Sequence, residues 1–361
     1  MGIATAIRVH GRAFSEATVL VPLVVLSLLW QLGAHADAWY HAHYGTTIES
    51  FFTWSHAVLY AGWAGTAVLA LARLGRREPL GTLRHSYQLV VAGVVIFGVG
   101  GVLDFGWHTT FGFEAGLGTL FSPSHLWLLV GVLVANVGIF HASVVSRTSD
   151  HQSTGGVRIV DIPVLLSFAA LFRATLWTAF YAAPLAVDYA SGGVAVHDLP
   201  FFAGVDWLNQ AAQTAGTTGV LLHSVMLALF LIAAVRYLKV PSGGIIVLLL
   251  WDGILTVATT GMWLYLPAVA LGALTAEFWL AHARRRQTDG NLPELAYWVL
   301  AGSVPMAQFT AYFGMMALFG GGIAWTAHLW TGTVVSAGLF ALIAGILSVP
   351  PPWATHRWNR L

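Results

Sequence analysis

Two short stretches of this chain collect side chains able to do chemistry. "DAWYHAHYGTTIESFFTWSH" (37–56) holds Asp37, His41, His43, Glu49 and His56, and "DFGWHTTFGFEAGLGTLFSPSH" (104–125) holds Asp104, His108, Glu114 and His125. Superposing Asp37 on Asp104 places His41 on His108 and Gly45 on Gly112. Glu49 and Glu114 then fall in the connecting loops, and a Ser-His pair (Ser55-His56, Ser124-His125) opens the next helix in each copy. "SHAVLYAG" and "SHLWLLVG" extend the match. On a helix, Asp and His four apart share one face, about 6 Å from each other along the axis. They can grip one ion, or the Asp can orient the His. The second His arrives from the neighbouring antiparallel helix.

Imidazole and carboxylate without sulfur suit copper(II), iron or zinc. The expected ligands are His41, His56, His108 and His125, with Asp37 and Asp104 as ligands or orienters and Glu49 and Glu114 as proton-handling groups. His328, in "IAWTAHLWTG", lies at a depth where it can join as a further ligand. His43, two residues from His41, faces elsewhere on a regular helix and reads as a spectator or rim residue; His35 has the same ambiguity.

The elements that must position these groups are membrane helices. Of 361 residues, 57% are hydrophobic and 9% charged, against roughly a quarter charged in soluble domains. Repeated apolar runs of about 20 residues, each enough to cross a bilayer, predict an all-α polytopic bundle. Ten spans are expected near 17–41, 51–74, 86–108, 123–145, 159–184, 207–235, 243–260, 262–282, 295–318 and 322–347, within a single integral membrane domain, 1–361. The stretch "VLVPLVVLSLLW" followed by Ala34-His35-Ala36 imitates a cleavable secretory signal. We read it as the first span, because the polar cluster follows directly.

Alternating the ten segments across the membrane puts fifteen of the sixteen Lys and Arg on one side, so both termini are expected to be cytoplasmic. Trp39, Trp54, Trp107, Trp177 and Trp207 sit near expected helix ends, as interfacial anchors do. Both polar clusters then face outside, at equivalent ends of the first two hairpins, which are expected to be an internal repeat (17–75 and 86–146). The expected setting is the plasma membrane of a prokaryote. A net charge of +1 excludes a strongly basic nucleic-acid binder, and the absence of Cys excludes disulfides, thiolate metal sites and iron–sulfur clusters.

Arg173, in the fifth span and the only basic residue not assigned to the inner face, needs a partner in hydrocarbon, and Asp252 is the expected one. His223 and Glu277 could pair similarly. The loop "HDLPFFAGVDW" (His197, Asp198, Asp206) is a candidate lid, with Phe201 and Phe202 dipping into the interface.

The D-x3-H motif followed by a His on the next helix resembles the membrane copper site in the C subunit of particulate methane and ammonia monooxygenases. There an Asp, a His four later and a second His about thirteen further on bind the metal. Here the last His follows after fifteen residues (His56) and seventeen (His125), and the likeness covers these two stretches alone. The resemblance implies the ligand set more directly than the reaction.

The expected function is a membrane metalloenzyme with a copper or iron centre near the outer face, oxidising an apolar or membrane-dissolved substrate with O2. Its electrons would come from a partner protein or a quinol. Zinc-dependent interfacial hydrolysis, with Glu49 or Glu114 as general base, and a metal permease or metal-delivery protein are the rivals. The paired hairpins share one orientation, unlike the inverted repeats of many transporters.

Overall fold

The computed structural model describes residues 3–44, 53–76, 80–112, 118–148, 161–191, 206–286 and 292–349. Glu49, Glu114, His197, Asp198, Phe201 and Phe202 lie outside these residues. The helices are α1 (Ile3–Tyr44), α2 (Trp54–Gly75), α3 (Leu83–Phe111), the single turn α4 (Gly118–Phe121), α5 (Pro123–Thr148), α6 (Asp161–Trp177), α7 (Asp206–Ile232), α8 (Gly244–Thr260), α9 (Leu266–Arg285), α10 (Glu294–Phe319) and α11 (Ala327–Ser348). The fold is all-α.

Among the described residues, seven helices are long and apolar enough to cross a membrane, covering Glu16–His41, Trp54–Gly75, Leu83–Phe111, Pro123–Arg147, Ala211–Tyr237, Trp263–Arg285 and Ala327–Ser348. α6 and α8, at 17 residues each, stand at the lower limit of the roughly 17–25 residues that cross a bilayer. α10 is long enough, but Pro305, Gln308 and Tyr312 dilute its apolar character.

Local chemistry sets the helix ends. α6 stops at Trp177, short of the expected 184; a 3-10 turn at Phe180–Ala182 follows, and Pro184 holds Ala183 in extended backbone (φ −68°, ψ 120°). The tight connection expected at Thr260-Gly261 is made by Gly261 in the left-handed region (φ 75°).

The helices are inside-out relative to a soluble bundle. Val68 and Leu71 on α2, Val95, Val99 and Val102 on α3, and Phe340, Ile343 and Leu347 on α11 are exposed, as lipid-facing side chains are. Small and polar residues turn inward, among them Ser27, Gln31, Ser86, Asn136, Gln308 and Thr333.

The chain divides into two compact units, Met1–Thr178 and Ala179–Leu361. In the first, α1 packs on α2, α3 on α5, and α5 on α6. Trp30, Tyr87, Phe97 and Ile139 centre its core. Polar ties cross it: Ser27 donates to Asn136 at 2.7 Å, and Gln31 to the Ala170 carbonyl at 2.9 Å. At the other end Arg73 pairs with Glu16, which also accepts from the Tyr87 hydroxyl, and Arg147 pairs with Asp161 at 2.8 Å.

In the second unit, α10 packs on α9, α11 and α7. Asp188 fastens the segment after the 3-10 turn. It accepts from the Tyr265 hydroxyl at 2.6 Å and from the Ser191 and Ala190 amides at 2.9 and 3.3 Å.

Candidate metal centre

The end of α3 and the start of α5 build the tighter of two similar sites. Gly112 ends α3 at φ 78°, a conformation that a side chain would strain. Its amide bonds the His108 carbonyl at 3.0 Å, and its own carbonyl accepts from His108 Nδ1 at 3.2 Å. A carbonyl only accepts, so Nδ1 carries the proton and Nε2 of a neutral ring is a bare lone pair. That lone pair faces Asp104 Oδ1 at 3.4 Å. Two acceptors in this position repel unless a cation lies between them: a metal ion, or the second proton of an imidazolium.

His125 completes the group, with Nε2 at 3.2 Å from the same Oδ1 and its ring 5.6 Å from that of His108. One donor atom from each of Asp104, His108 and His125 lies within 4.8 Å of the others. Adjacent donors in a tetrahedral shell with bonds of about 2.0–2.1 Å stand about 3.3 Å apart, so 3.2 and 3.4 Å fit the edges of such a shell. His125 Nδ1 is buried without a hydrogen-bond partner among the described residues, and Asp104 is itself buried. Three protein donors of this kind leave coordination positions open, as catalytic metal sites require.

Two serines orient the carboxylate and the descending helix. Ser124 donates to Asp104 Oδ1 at 2.8 Å, and Ser122 Oγ accepts from the His125 amide at 3.4 Å, satisfying an orphan N–H at the start of α5. Replacing Ser124 with Ala should weaken metal binding about tenfold, the usual loss when the group that orients a ligand is removed. A competition titration against a chromophoric chelator measures it.

The α1–α2 hairpin repeats the plan more loosely. Ser55 donates to Asp37 Oδ1 at 2.8 Å, and Thr53 caps α2 by accepting from the His56 amide at 3.2 Å. His56 Nε2 stands 3.4 Å from Asp37 Oδ1, whereas His41 Nε2 faces the other oxygen, Oδ2, at 3.7 Å.

The packing beneath the two sites also recurs at matching positions. A methyl group on Gly33 would lie 2.3 Å from the Leu59 nitrogen, and one on Gly100 would lie 3.0 Å from the Leu128 nitrogen. A methyl on Gly62 would lie 2.4 Å from the Trp30 nitrogen, and one on Gly131 would lie 2.6 Å from the Phe97 nitrogen. Trp30 and Phe97, equivalent in the repeat, meet edge to face at 4.6 Å.

His328 is exposed in the first turn of α11, in the second unit. His43 bonds the Trp39 carbonyl at 2.8 Å and stacks on that indole. His35 is buried against the edge of Trp177, under the charge of buried Arg173. Arg173 lies in the first unit and Asp252, also buried, in the second. Glu277 caps α8 by accepting from the Ile245 amide at 3.1 Å, and His223 sits 3.5 Å from Gln308 Nε2.

The capping roles of Thr53 and Ser122 were missed from the sequence, although each lies three residues before its His, the spacing of an N-cap. The contact between Tyr60 and Gly101 left no sequence signal.

No protein-family model, curated protein or solved structure matches the chain.

Proposed function

We propose that Asp104, His108 and His125 hold a copper or iron ion in an integral membrane enzyme that oxidises an apolar, bilayer-dissolved substrate with O2. The observation that carries this is the convergence on one buried carboxylate oxygen: His108, whose Nδ1 bonds Gly112, and His125 both turn Nε2 to Asp104 Oδ1, at 3.4 and 3.2 Å. A bound metal would supply a Lewis-acidic, redox-active position. The chain's own part is to fix the imidazole tautomer through Gly112, to orient the carboxylate through Ser124, and to surround the site with apolar helices through which O2 and substrate dissolve. Electrons would come from a quinol or a partner protein.

On this reading the two hairpins are a tandem duplication. The bundle has ten spans with both termini cytoplasmic, and the trios face outside the plasma membrane. The recurring glycine contacts, Ser-His pairs and caps support the duplication, and the one-sided Lys and Arg support the orientation.

Metal analysis of the purified protein, with optical and EPR spectra, tests it. The expected result is copper or iron approaching one equivalent or more per chain, with quinol-driven O2 uptake that rises with an apolar substrate. Zinc alone, with no O2 uptake, would move the assignment to interfacial hydrolysis. A chain without bound metal, or one that carries metal ions across liposomes, would overturn it.

A further inference from the structure

Two similar trios could close around one pair of ions or hold one ion each. We infer, resting on the metal-centre reading above, that they are two separate mononuclear sites kept apart by the ring of Tyr60, and that the α3–α5 site is the tighter.

Each carboxylate gathers groups from its own hairpin. Asp37 is surrounded by His56, His41 and Ser55, and Asp104 by His108, His125 and Ser124. Tyr60, on α2, touches both hairpins. Its ring lies 6.1 Å from His56, and its hydroxyl reaches α3 at Gly101, three residues before Asp104, where an added methyl group would come within 2.7 Å of the oxygen.

This pair is also where the repeat breaks. The positions matching Tyr60 and Gly101 are Leu129 and Ala34. Two tandem hairpins have one α2–α3 junction, so a group that fills it has no counterpart to copy.

The order of affinity follows from preorganisation. Side chains of Asp104 and His108 are 7% and 11% exposed, against 20% and 30% for Asp37 and His41, while His125 at 25% is more exposed than His56 at 16%. In the α3–α5 trio both imidazole nitrogens face one carboxylate oxygen. In the α1–α2 trio they face opposite oxygens, so an ion there must first draw its ligands together, at a cost in affinity.

The test is a copper(II) titration of metal-free, detergent-purified protein followed by EPR. Two coppers per chain are expected, filling in phases at least about tenfold apart in affinity, with the full two-spin intensity and no half-field transition. Asp104→Asn should remove the tight phase. Asp37→Asn should remove the weak phase and leave the tight one within about twofold, as expected for sites without shared ligands. Tyr60→Ala should introduce a half-field transition, whereas Tyr60→Phe, which keeps the ring, should not.

A single phase giving a spin-silent or half-field-active pair in the unmodified protein would overturn the inference while leaving a metal centre in place. Loss of both phases in Asp37→Asn, a reversed order of filling, or a Tyr60→Ala spectrum that stays purely mononuclear with two coppers bound would overturn it too. A protein that binds no copper at all would instead remove the metal-centre reading on which it rests.

Discussion

Asp104→Asn protein should purify folded but with less than about a tenth of the metal that the unmodified chain holds in its α3–α5 site, since losing a ligand should cost at least the roughly tenfold that losing a ligand's orienting partner costs. The substitution keeps the shape of the side chain and an oxygen for Ser124 to donate to. It removes the negative charge that both His108 Nε2 and His125 Nε2 face, at 3.4 and 3.2 Å. A divalent ion in a buried setting depends on such a charge, because desolvating it without a counter-charge costs several kcal/mol. The same exchange at Asp37, which is more exposed and whose imidazoles are split between its two oxygens, should cost less in total metal content. Elemental analysis of the two variants side by side checks the ranking. Equal retention by Asp104→Asn and the unmodified protein would contradict the ligand assignment.

The second large effect is expected far below the site, at Gly131. Alanine is favoured over glycine in a helix by about 1 kcal/mol, so Gly131→Ala would stabilise an isolated α5. Here the added methyl group would lie 2.6 Å from the Phe97 nitrogen and 2.8 Å from its Cα, both main-chain atoms that cannot turn away. α3 and α5 must therefore part, at an expected net cost of about 2–3 kcal/mol, within the range measured for overpacked interiors. Small residues allow this close helix approach in membranes, where lipid offers apolar groups no reason to leave it. Gly314→Ala in α10, where an added methyl group meets nothing within 4 Å, is the control and should be neutral or stabilising by up to about 1 kcal/mol. Thermal unfolding in detergent, followed by tryptophan fluorescence, compares the two. Because α3 carries Asp104 and His108 while α5 carries Ser124 and His125, Gly131→Ala should also weaken metal binding without touching a ligand.

These two expectations draw on different parts of the chain's legibility. The helical, membrane-type architecture followed from composition and apolar run length. So did the pairing of polar stretches, because Asp and His four apart must share a face wherever the helix goes. The Ser-His dipeptides were visible, but their hydrogen bonds were not: those depend on how far α2 and α5 start below the ends of α1 and α3. The division into two compact units, Met1–Thr178 and Ala179–Leu361, left no mark in composition or run length. Ala183-Pro184 marks a helix end near residue 183, but the stop at Trp177 and the 3-10 turn at Phe180–Ala182 carry no such local signal.

What the sequence alone carried was whatever depends on neighbours a few residues apart: helical faces, caps, breakers, and the residue types available for a ligand set. It did not carry the inequality of the two trios, the lone pair that His108 turns on Asp104, or the wedge that Tyr60 makes at Gly101. Those follow from contacts between helices that are distant in the chain. Two hairpins with nearly the same local sequence are packed by different third neighbours, and a shift of a few tenths of an ångström decides whether three donor atoms converge on one point or straddle a carboxylate.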